Sequence, residues 1–383
     1  MKHCIIRPSA INVQLFTNCD QLPAEWDSLL PADHFLQAKN LSISEVANFP
    51  DISFLYAITT LNKKPIALSY FQLLQFKENH LDSSKLSFAQ SISWKGFAKL
   101  FSPKLLIAGH LFRHDVASFF YDNTCTPFDA YKCYKTTIDK ALSRSGAHAV
   151  LLKDMPEELG TYFQNYAPEY LMLRNDISMQ MEFPESCKMI HDYEKLLKHK
   201  YAQRFRKIRK EWTNIEVKEL STTDVFKHKQ IIYDLYRKVN DHQFVRLGTL
   251  SDDFIPLLKQ QYPDRFKVWM AYANDVPVAF FSAWLHDDIF DMFYIGFDYS
   301  KNEKLHLYFN ILFFSVEQAI FHQKKKLILG RTALEAKARI GCKPKYLSTF
   351  LYIRNSLLRN LLLGLQQKLF KQEGEWENRH PFK

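Results

Sequence analysis

The sequence predicts two tandem α/β domains, each with a mixed, mostly antiparallel sheet flanked by helices. Three observations favour this fold class. Two similar strand–turn–strand segments lie in the two halves of the chain, the same order of elements comes after each of them, and 383 residues are too many for one ordinary core. Hydrophobic residues make up 47% of the chain and charged residues 24%, which is typical of a folded globular protein.

The two similar segments are FLYAITTLNKKPIALSYFQL and FKVWMAYANDVPVAFFSAWL. Each has aromatic and β-branched residues on both sides of a polar turn that ends in proline, which predicts a β-hairpin. The positions that coincide are Phe54 with Phe266, Asn62 with Asn274, Pro65 with Pro277, Ala67 with Ala279 and Leu73 with Leu285. Unrelated hairpins can share such positions, so the prediction of a duplication depends on the elements that come after each hairpin.

A strand, a helix and a further strand are predicted after each hairpin. In the first half these are KLLIAGHLF, TPFDAYKCYKTTIDKALSRSG and AVLLKDM; in the second half they are DIFDMFYIGF, HLYFNILFFSVEQAIF and KLILG. Two copies of one order indicate a tandem architecture. We place a first domain at residues 1–178, for acceptor binding or structure, and a second at 179–383, with the active site and a C-terminal amphipathic helix.

The composition limits the classes of function. A formal net charge of +10 fits a nucleic-acid, phosphate-rich or anionic-membrane partner, and it equally fits an unspecialised basic surface. The six cysteines are scattered without a CxxC pair or zinc-ligand spacing, so we expect neither a metal site nor a disulfide framework. Neither a signal-peptide core nor a run near the ~18 apolar residues of a membrane span is visible. We therefore expect a cytoplasmic protein.

The stretch LILGRTALEAKARIGCKP predicts a strand, a sharp turn and a short helix. Gly330 would permit the turn. Thr332 precedes Glu335 by the spacing of a capping box, in which each residue binds the other's backbone amide. The helix would run for about two turns, after which Gly341 would form a left-handed cap and Pro344 would prevent continuation.

The charged residues of this stretch predict an anion-binding site. A helix that starts at the carboxyl edge of a strand directs its free amides and its dipole at a ligand there. Arg331 at the turn would add a bidentate donor. Lys337 and Arg339 are two residues apart and cannot share a helix face, so at most one of them would lie beside Glu335. The capping box alone would also explain Glu335 without any function.

The order G-R-[ST]-x-x-E-x-K-x-x-x-G after an apolar strand resembles the signature of the GNAT-like N-acyltransferases. It is nearest to the branch that contains the Fem peptidoglycan aminoacyl ligases and the peptidoglycan biosynthesis/recognition proteins. Arg331, Glu335, Lys337 and Gly341 match this signature. The strand FYIGF resembles the one before the family's long helix, and the basic helix around Arg204 resembles the one that opens the second domain. The similarity is clearest over residues 186–350, and the repeat extends it over most of the chain.

This resemblance implies transfer of an acyl or aminoacyl group from an activated donor onto an amine of a peptidoglycan or lipid precursor. The implied donors are acyl-CoA, an acyl carrier protein or aminoacyl-tRNA, with no tightly bound cofactor. One feature departs from the family: acetyl-CoA-binding members carry a loop Q/R-x-x-G-x-G/A, and this chain has GFDYSKNEKLHL there. That departure disfavours a small CoA thioester bound in the usual way. Fem-type relatives also lack the loop.

We predict roles for seven residues in the second half. Lys337 or Arg331 would stabilise the oxyanion or the donor phosphate, and Glu335 or a water would deprotonate the amine. Tyr294 would protonate the leaving group, unless it is an ordinary half-buried strand tyrosine. The predicted catalytic residues are Lys337, Glu335 and Tyr294, and the predicted substrate-binding residues are Arg331, Arg339, Arg204 and Arg206.

Several alternatives remain open at this level. The basic helix over residues 195–210 is either a solvated face or a phosphate-binding surface for tRNA, a carrier arm or anionic lipid. The leucine-rich segment 355–371 is either packed on the second domain or attached to the inner face of a membrane. A non-catalytic GNAT-like protein that binds an envelope precursor or carrier is the competing function. No helix-turn-helix or RNA-binding motif is visible, and no DNA partner is expected.

Overall fold

The chain divides into two compact units in the computed structural model. The structure describes residues 11–31, 34–80, 99, 102–113, 116, 118–243, 247–360 and 379–383. Unit 1 comprises Met1–Asn175, Phe244–Ser251 and Leu347–Lys371. Unit 2 comprises Asp176–Gln243, Asp252–Tyr346 and Gln372–Lys383. Because the two units are built from interleaved segments, the domain limits 1–178 and 179–383 stay a prediction.

The secondary structure alternates between strands and helices along both halves. The strands are β1 (Ile11–Phe16), β2 (Ile52–Leu61), β3 (Lys64–Gln75), β4 (Lys104–Ala108), β5 (Phe119–Tyr121), β6 (Ala149–Met155), β7 (Leu171–Glu182), β8 (Ile215–Glu219), β9 (Phe266–Ala273), β10 (Val276–Leu285), β11 (Ile289–Phe297), β12 (Lys326–Gly330) and β13 (Lys343–Ile353). The helices are α1 (Glu25–Ser28), α2 (Ala38–Val46), α3 (Pro127–Ser145), α4 (Glu157–Tyr166), α5 (Ile190–Leu196), α6 (His199–Glu211), α7 (Thr222–Lys227), α8 (Lys229–Asn240), α9 (Phe254–Gln261), α10 (Tyr299–Leu305), α11 (Leu307–Phe321) and α12 (Leu334–Ala338).

Both predicted hairpins are confirmed. β2 pairs with β3 and β9 with β10, in each case antiparallel across a two-residue turn. Asn62 and Lys63 have φ of 49° and 67°, and Asn274 and Asp275 have φ of 49° and 62°. Positive φ at both central residues defines a type I′ turn, whose twist matches that of the flanking strands. Asparagine tolerates this conformation better than most residues, which explains why it opens both turns.

In unit 1 the strand order is β1–β2–β3–β4–β6–β13, with β5 paired to β3. Neighbouring strands run antiparallel except β4 and β6, which are parallel and joined by α3. The α3 helix begins where the Thr126 hydroxyl accepts the Asp129 amide, and it ends at Gly146, whose φ is 65°. Its buried face packs Tyr134 and Ile138 into the core of this unit.

In unit 2 the strand order is β7–β12–β11–β10–β9–β8. Only β11 and β12 run parallel, and α11 connects them. The α11 sequence is apolar on most sides because the helix is buried between the sheet and α6, with Leu307, Ile311 and Val316 in the core. The mixed, mostly antiparallel α/β fold with flanking helices is therefore confirmed. The order strand–strand–strand–helix–strand occurs in both halves, with β5 as an additional short strand before α3 in the first half.

One predicted helical region is not a single uninterrupted helix. The basic stretch after residue 186 forms α5 and α6, which are separated at Leu197 and Lys198. In the leucine-rich segment 355–371, Asn355 precedes a helical turn over residues 356–360, and residues 361–371 lie outside the described residues. In the part of the chain that the structure describes, no helix has the length and apolar character needed to cross a bilayer. Nor do three potential metal ligands cluster anywhere in those residues.

Candidate active site

The parallel pair β11 and β12 in unit 2 opens at one end. Ile289–Asp291 pair with Lys326–Ile328, whereas β11 continues to Phe297 and β12 to Gly330. On the other side of β11, the register with β10 shifts at Ser282. The buried Ser282 hydroxyl donates to the Tyr294 carbonyl at 3.0 Å and accepts its amide at 3.1 Å. This bulge redirects β11 beside the opening, as bulges often do near functional sites.

Tyr294 on β11 lies within electrostatic reach of Arg331, which comes directly after β12. Burial raises the pKa of the Tyr294 phenol well above its ordinary value, while the Arg331 guanidinium acts in the opposite direction. The Tyr236 ring on α8 stands edge-on to the Tyr294 ring, with 5.5 Å between centroids. A phenol in these surroundings stays protonated at neutral pH. Tyr294 is therefore a hydrogen-bond and proton donor within electrostatic reach of Arg331, a permanent cation.

Gly296 explains how α8 comes so close to β11. A Cβ atom at this position would lie 2.3 Å from the Leu235 carbonyl carbon and 2.4 Å from the Tyr236 nitrogen. Only glycine lets the helix backbone lie directly on the strand. The glycine in FYIGF therefore brings the Tyr236 ring onto Tyr294, a role that the sequence pattern did not indicate.

The predicted capping box at Thr332 and Glu335 is wrong. Gly330, Thr332 and Ala333 have φ of 70°, 50° and 48°, so the chain turns through left-handed conformations from the last residue of β12 onwards. Ala333 occupies the N-cap without a side-chain hydrogen bond, and α12 has five residues instead of about two turns. This start places the Thr332 hydroxyl outside the cap. So short a helix has little dipole, and anion binding here depends on side chains.

Lys337 lies beneath the turn and not in the opening. It is 5% exposed, and its Nζ donates to the Arg331 carbonyl at 2.5 Å and to the Gly330 carbonyl at 3.4 Å. Burial lowers the pKa of Lys337 to about 7, and the neighbouring Cys342 works in the opposite direction. Burial likewise raises the pKa of the Cys342 thiol to about 12. The Lys337 side chain thus ties α12 to the turn that carries Arg331.

Glu335 is held by two arginines. Its Oε1 accepts from Nη2 of Arg339 at 2.5 Å and from Nη2 of Arg379 at 3.0 Å. The hydrogen bond from Arg339 is the main reason why the pKa of Glu335 is lowered. An ionised carboxylate in this position orients cations well, but it is a weaker base than an ordinary glutamate.

A groove of about 540 Å³ lies between α6, α10 and α11. Asn310 of α11 is buried and fixes this arrangement, because its Nδ2 donates to the carbonyls of Ile208 and Leu305 at 3.2 and 2.9 Å. The residues that line the groove are Arg204, Lys207, Ile208, Asn302, Glu303, His306 and Phe309. The groove therefore carries the basic side chains of Arg204 and Lys207 and one carboxylate, Glu303, beside the apolar side chains of Ile208 and Phe309.

Arg204 contributes to the groove, whereas Arg206 does not. The Arg204 guanidinium lies 4.8 Å from the centre of the Phe309 ring, and burial together with the charge of Arg339 lowers its pKa. Arg206 instead places Nε 3.2 Å from a carboxylate oxygen of Glu194 on α5. These arginines are two positions apart on α6 and therefore face different directions. Only Arg204 has a pKa that the charge of Arg339 lowers.

The structure thus places Tyr294 within electrostatic reach of Arg331, and Arg204 within electrostatic reach of Arg339, which forms an ion pair with Glu335. It adds three residues that the sequence pattern did not single out: Ser282, Gly296 and Arg379. Ser282 could have been noticed, because it is the single polar residue of the strand VPVAFFSAWL. Arg379 gave no local signal, since it is 44 positions away from Glu335.

No protein-family profile and no curated protein matches the sequence. Solved structures do resemble it. The structure titled FemX has 9% identity over 85% of this chain and 98% of that one, with a TM-score of 0.48. A GCN5-related N-acetyltransferase from Kribbella flavida has 6% identity over 91% and 72%, with a TM-score of 0.47. A conserved protein of unknown function from Bacteroides thetaiotaomicron has 12% identity over 86% and 96%, with a TM-score of 0.44.

Proposed function

We propose that the protein is an N-acyltransferase that moves an acyl or aminoacyl group from an activated donor onto an amine of a peptidoglycan or lipid precursor. The observation that carries the proposal is the open end of the β11–β12 pair, where a protonated Tyr294 and the cationic Arg331 lie within electrostatic reach of each other. The motif resemblance over residues 327–344 agrees with it. Acyl transfer needs a group that stabilises the oxyanion and a proton donor for the leaving group, and these two side chains supply both.

The proposed reaction joins the amine nitrogen to the donor carbonyl carbon and breaks the donor's C–S or C–O bond. Arg331 stabilises the negative charge that develops on the carbonyl oxygen. Tyr294 gives its proton to the departing thiolate or alkoxide, and a water accepts the proton that the amine loses. Tyr294 then regains a proton from solvent. Each group therefore returns to its starting state after one transfer.

Lys337 and Glu335 act through neighbouring residues in this proposal. The Lys337 amine binds the carbonyls of Gly330 and Arg331, so it sets the conformation of the turn from which the Arg331 side chain projects. Glu335 holds the Arg339 guanidinium at a position from which the charge of Arg339 acts on Arg204. Both are positioning residues, and neither has to touch the reacting atoms.

The groove beside α6 is the proposed site for a phosphate of the donor. Among the residues that the structure describes, no carboxylate forms an ion pair with Arg204 or Lys207, and Arg339 adds a third charge nearby. CoA, the phosphopantetheine arm of a carrier protein and tRNA all carry phosphate esters. A groove of about 540 Å³ suits a ligand of nucleotide or phosphopantetheine size. The apolar side chains of Ile208 and Phe309 suit the organic part of such an ester.

The test is a transfer assay on the full chain. Acyl-CoA, acyl carrier protein and aminoacyl-tRNA are each offered with two amine acceptors, a muramyl-pentapeptide nucleotide and phosphatidylethanolamine vesicles, and products are detected by mass spectrometry. Arg331→Ala and Tyr294→Phe should each lose activity without a change in melting temperature. Arg206→Ala is the matched control on α6 and should retain activity. Full activity in both Arg331→Ala and Tyr294→Phe would contradict the proposal.

A non-catalytic protein that binds an envelope precursor or carrier is the second candidate. The observation that favours it is the engagement of Glu335 by two arginines, which leaves the site without a strong carboxylate base. A thermal-shift comparison separates the two functions. Stabilisation by an activated donor supports the transferase, whereas stabilisation by the muramyl-pentapeptide nucleotide alone, with no product from any donor, supports the binding protein.

A further inference from the structure

Residues 379–383 return to the candidate active site as a short strap along unit 2. The Lys198 amide donates to the Pro381 carbonyl at 2.7 Å, and the Lys383 amide donates to the Leu196 carbonyl at 2.9 Å. Leu197 and Phe382 form an antiparallel β-bridge between these two bonds. The strap therefore supplies hydrogen-bond partners for backbone groups at the end of α5 and the start of α6. These bonds account for the interruption between the two helices.

Phe382 fills the space directly beside Gly341. A Cβ atom at Gly341 would lie 2.2 Å from Cζ of the Phe382 ring. The ring stands edge-on to Tyr193 at 6.1 Å, and the Tyr193 hydroxyl donates to the Ile340 carbonyl at 2.8 Å. Gly341, with φ of 108°, is consequently required both for its conformation and for the approach of the strap.

The strap also reaches the other end of α12. Arg379 donates to Glu335, the second residue of the helix, at 3.0 Å, while Phe382 packs at the glycine that lies beyond the helix. A helix of five residues has no stability of its own, so its conformation depends on such outside contacts. Lys337 lies between the two contacts and holds the carbonyls of Gly330 and Arg331.

We infer that the strap, residues 379–383, positions the active-site turn: Arg379 and Phe382 clamp the two ends of α12, and through Lys337 they fix the backbone that carries Arg331. Arg379 and Phe382 are positioning residues, since neither lies in the opening between β11 and β12. The effect of the strap on catalysis by Arg331 rests on the proposed function. The clamping of α12 by Arg379 and Phe382 is independent of it.

Hydrogen exchange on the full chain, read by mass spectrometry, tests the clamp without any substrate. In Phe382→Ala the amides of residues 337–342 should exchange at least about tenfold faster, with the α11 amides unchanged as the reference for global stability. Phe382→Leu is the milder variant if the alanine variant does not fold. His380→Ala is the control, because His380 is an exposed strap residue. Unchanged exchange at residues 337–342 in both Phe382 variants would overturn the inference.

A second readout separates positioning from plain stabilisation. Arg379→Gln should lower kcat of the transfer reaction about tenfold with little change in KM, and Arg379→Lys should restore most of it because it keeps the charge beside Glu335. Faster exchange at residues 337–342 together with an unchanged kcat in the Arg379→Gln and Phe382→Leu variants would show a structural strap only and would overturn the positioning role. If the wild-type chain transfers nothing, the proposed function fails while the exchange experiment still decides whether the clamp exists.

Discussion

Replacing Lys337 by methionine should change how the stability of the protein depends on pH. Methionine has a similar length and no charge, so Lys337→Met keeps most of the packing beneath the turn and removes the buried amine. The folded-state pKa of Lys337 is lowered by burial from 10.5 to about 7. Between these two pH values the unfolded chain binds a proton that the folded chain has released, so wild-type stability from this group rises with pH. It is lost as the pH falls towards 7.

The magnitude can be worked from the pKa values of the two states. Each pH unit between them corresponds to about 1.4 kcal/mol, which gives roughly 5 kcal/mol over the whole interval. The amine is half protonated at its own pKa, so the change from pH 7 to pH 9 is roughly 2 kcal/mol. The neutral amine still has two hydrogens for the carbonyls of Gly330 and Arg331. Deprotonation therefore leaves those two hydrogen bonds in place.

The assay is urea unfolding of the wild-type and Lys337→Met chains at pH 7, 8 and 9. The difference in unfolding free energy, wild type minus variant, should increase by roughly 2 kcal/mol over this range. Lys343 is a solvent-exposed lysine on β13, and Lys343→Met is the control, for which the difference should stay constant. A difference for Lys337→Met that is independent of pH would refute the burial of a titrating amine beneath the turn.

Three further predictions concern the strand glycine, the groove and the exposed leucines. Gly296→Ala should destabilise the chain by about 2 kcal/mol or more, because its Cβ would lie 2.3 Å from the α8 backbone; an unfolding midpoint equal to wild type would contradict that packing. Arg204→Ala should weaken the binding of pyrophosphate and flatten its salt dependence, whereas Arg206→Ala should leave both unchanged; equal effects of the two variants would argue against the groove. Leu357 and Leu358 are 81% and 47% exposed, and changing both to serine should reduce flotation with anionic vesicles; identical flotation would exclude the membrane-attachment alternative for the segment 355–371.

The elements that could be predicted from the sequence are those that local chemistry decides. Asn62 and Asn274 mark type I′ turns, and the apolar strands on either side pair across them in both halves. The strands AVLLKDM and KLILG have the bounds that the sequence predicts. The repeated order is then expected, because each parallel connection needs a crossover helix between its strands.

The candidate site was harder to predict because distant contacts decide its local structure. Thr332 and Glu335 have capping-box spacing, yet consecutive left-handed residues move the helix start to Leu334. Lys337 holds this turn by donating to the Gly330 carbonyl, seven residues earlier in the chain. The sequence rules for helix caps do not consider a contact of this kind. The partner of Glu335 on the strap has no sequence signal at all. The helix period predicts that Arg204 and Arg206 lie on different faces of α6, but it does not indicate which of the two faces borders a groove.

Transfer of the acyl group by the wild-type chain and by Arg331→Ala, compared under single-turnover conditions, tests the proposed chemistry most directly. The product is quantified by mass spectrometry, with the donor and amine that the wild-type chain uses best, and melting temperatures are recorded alongside. Loss of the oxyanion donor should lower the rate by about 10²- to 10³-fold at an unchanged melting temperature, and Arg331→Lys should recover only part of it. An Arg331→Ala variant that forms the product at the wild-type rate would contradict the assignment of the active site to the opening between β11 and β12.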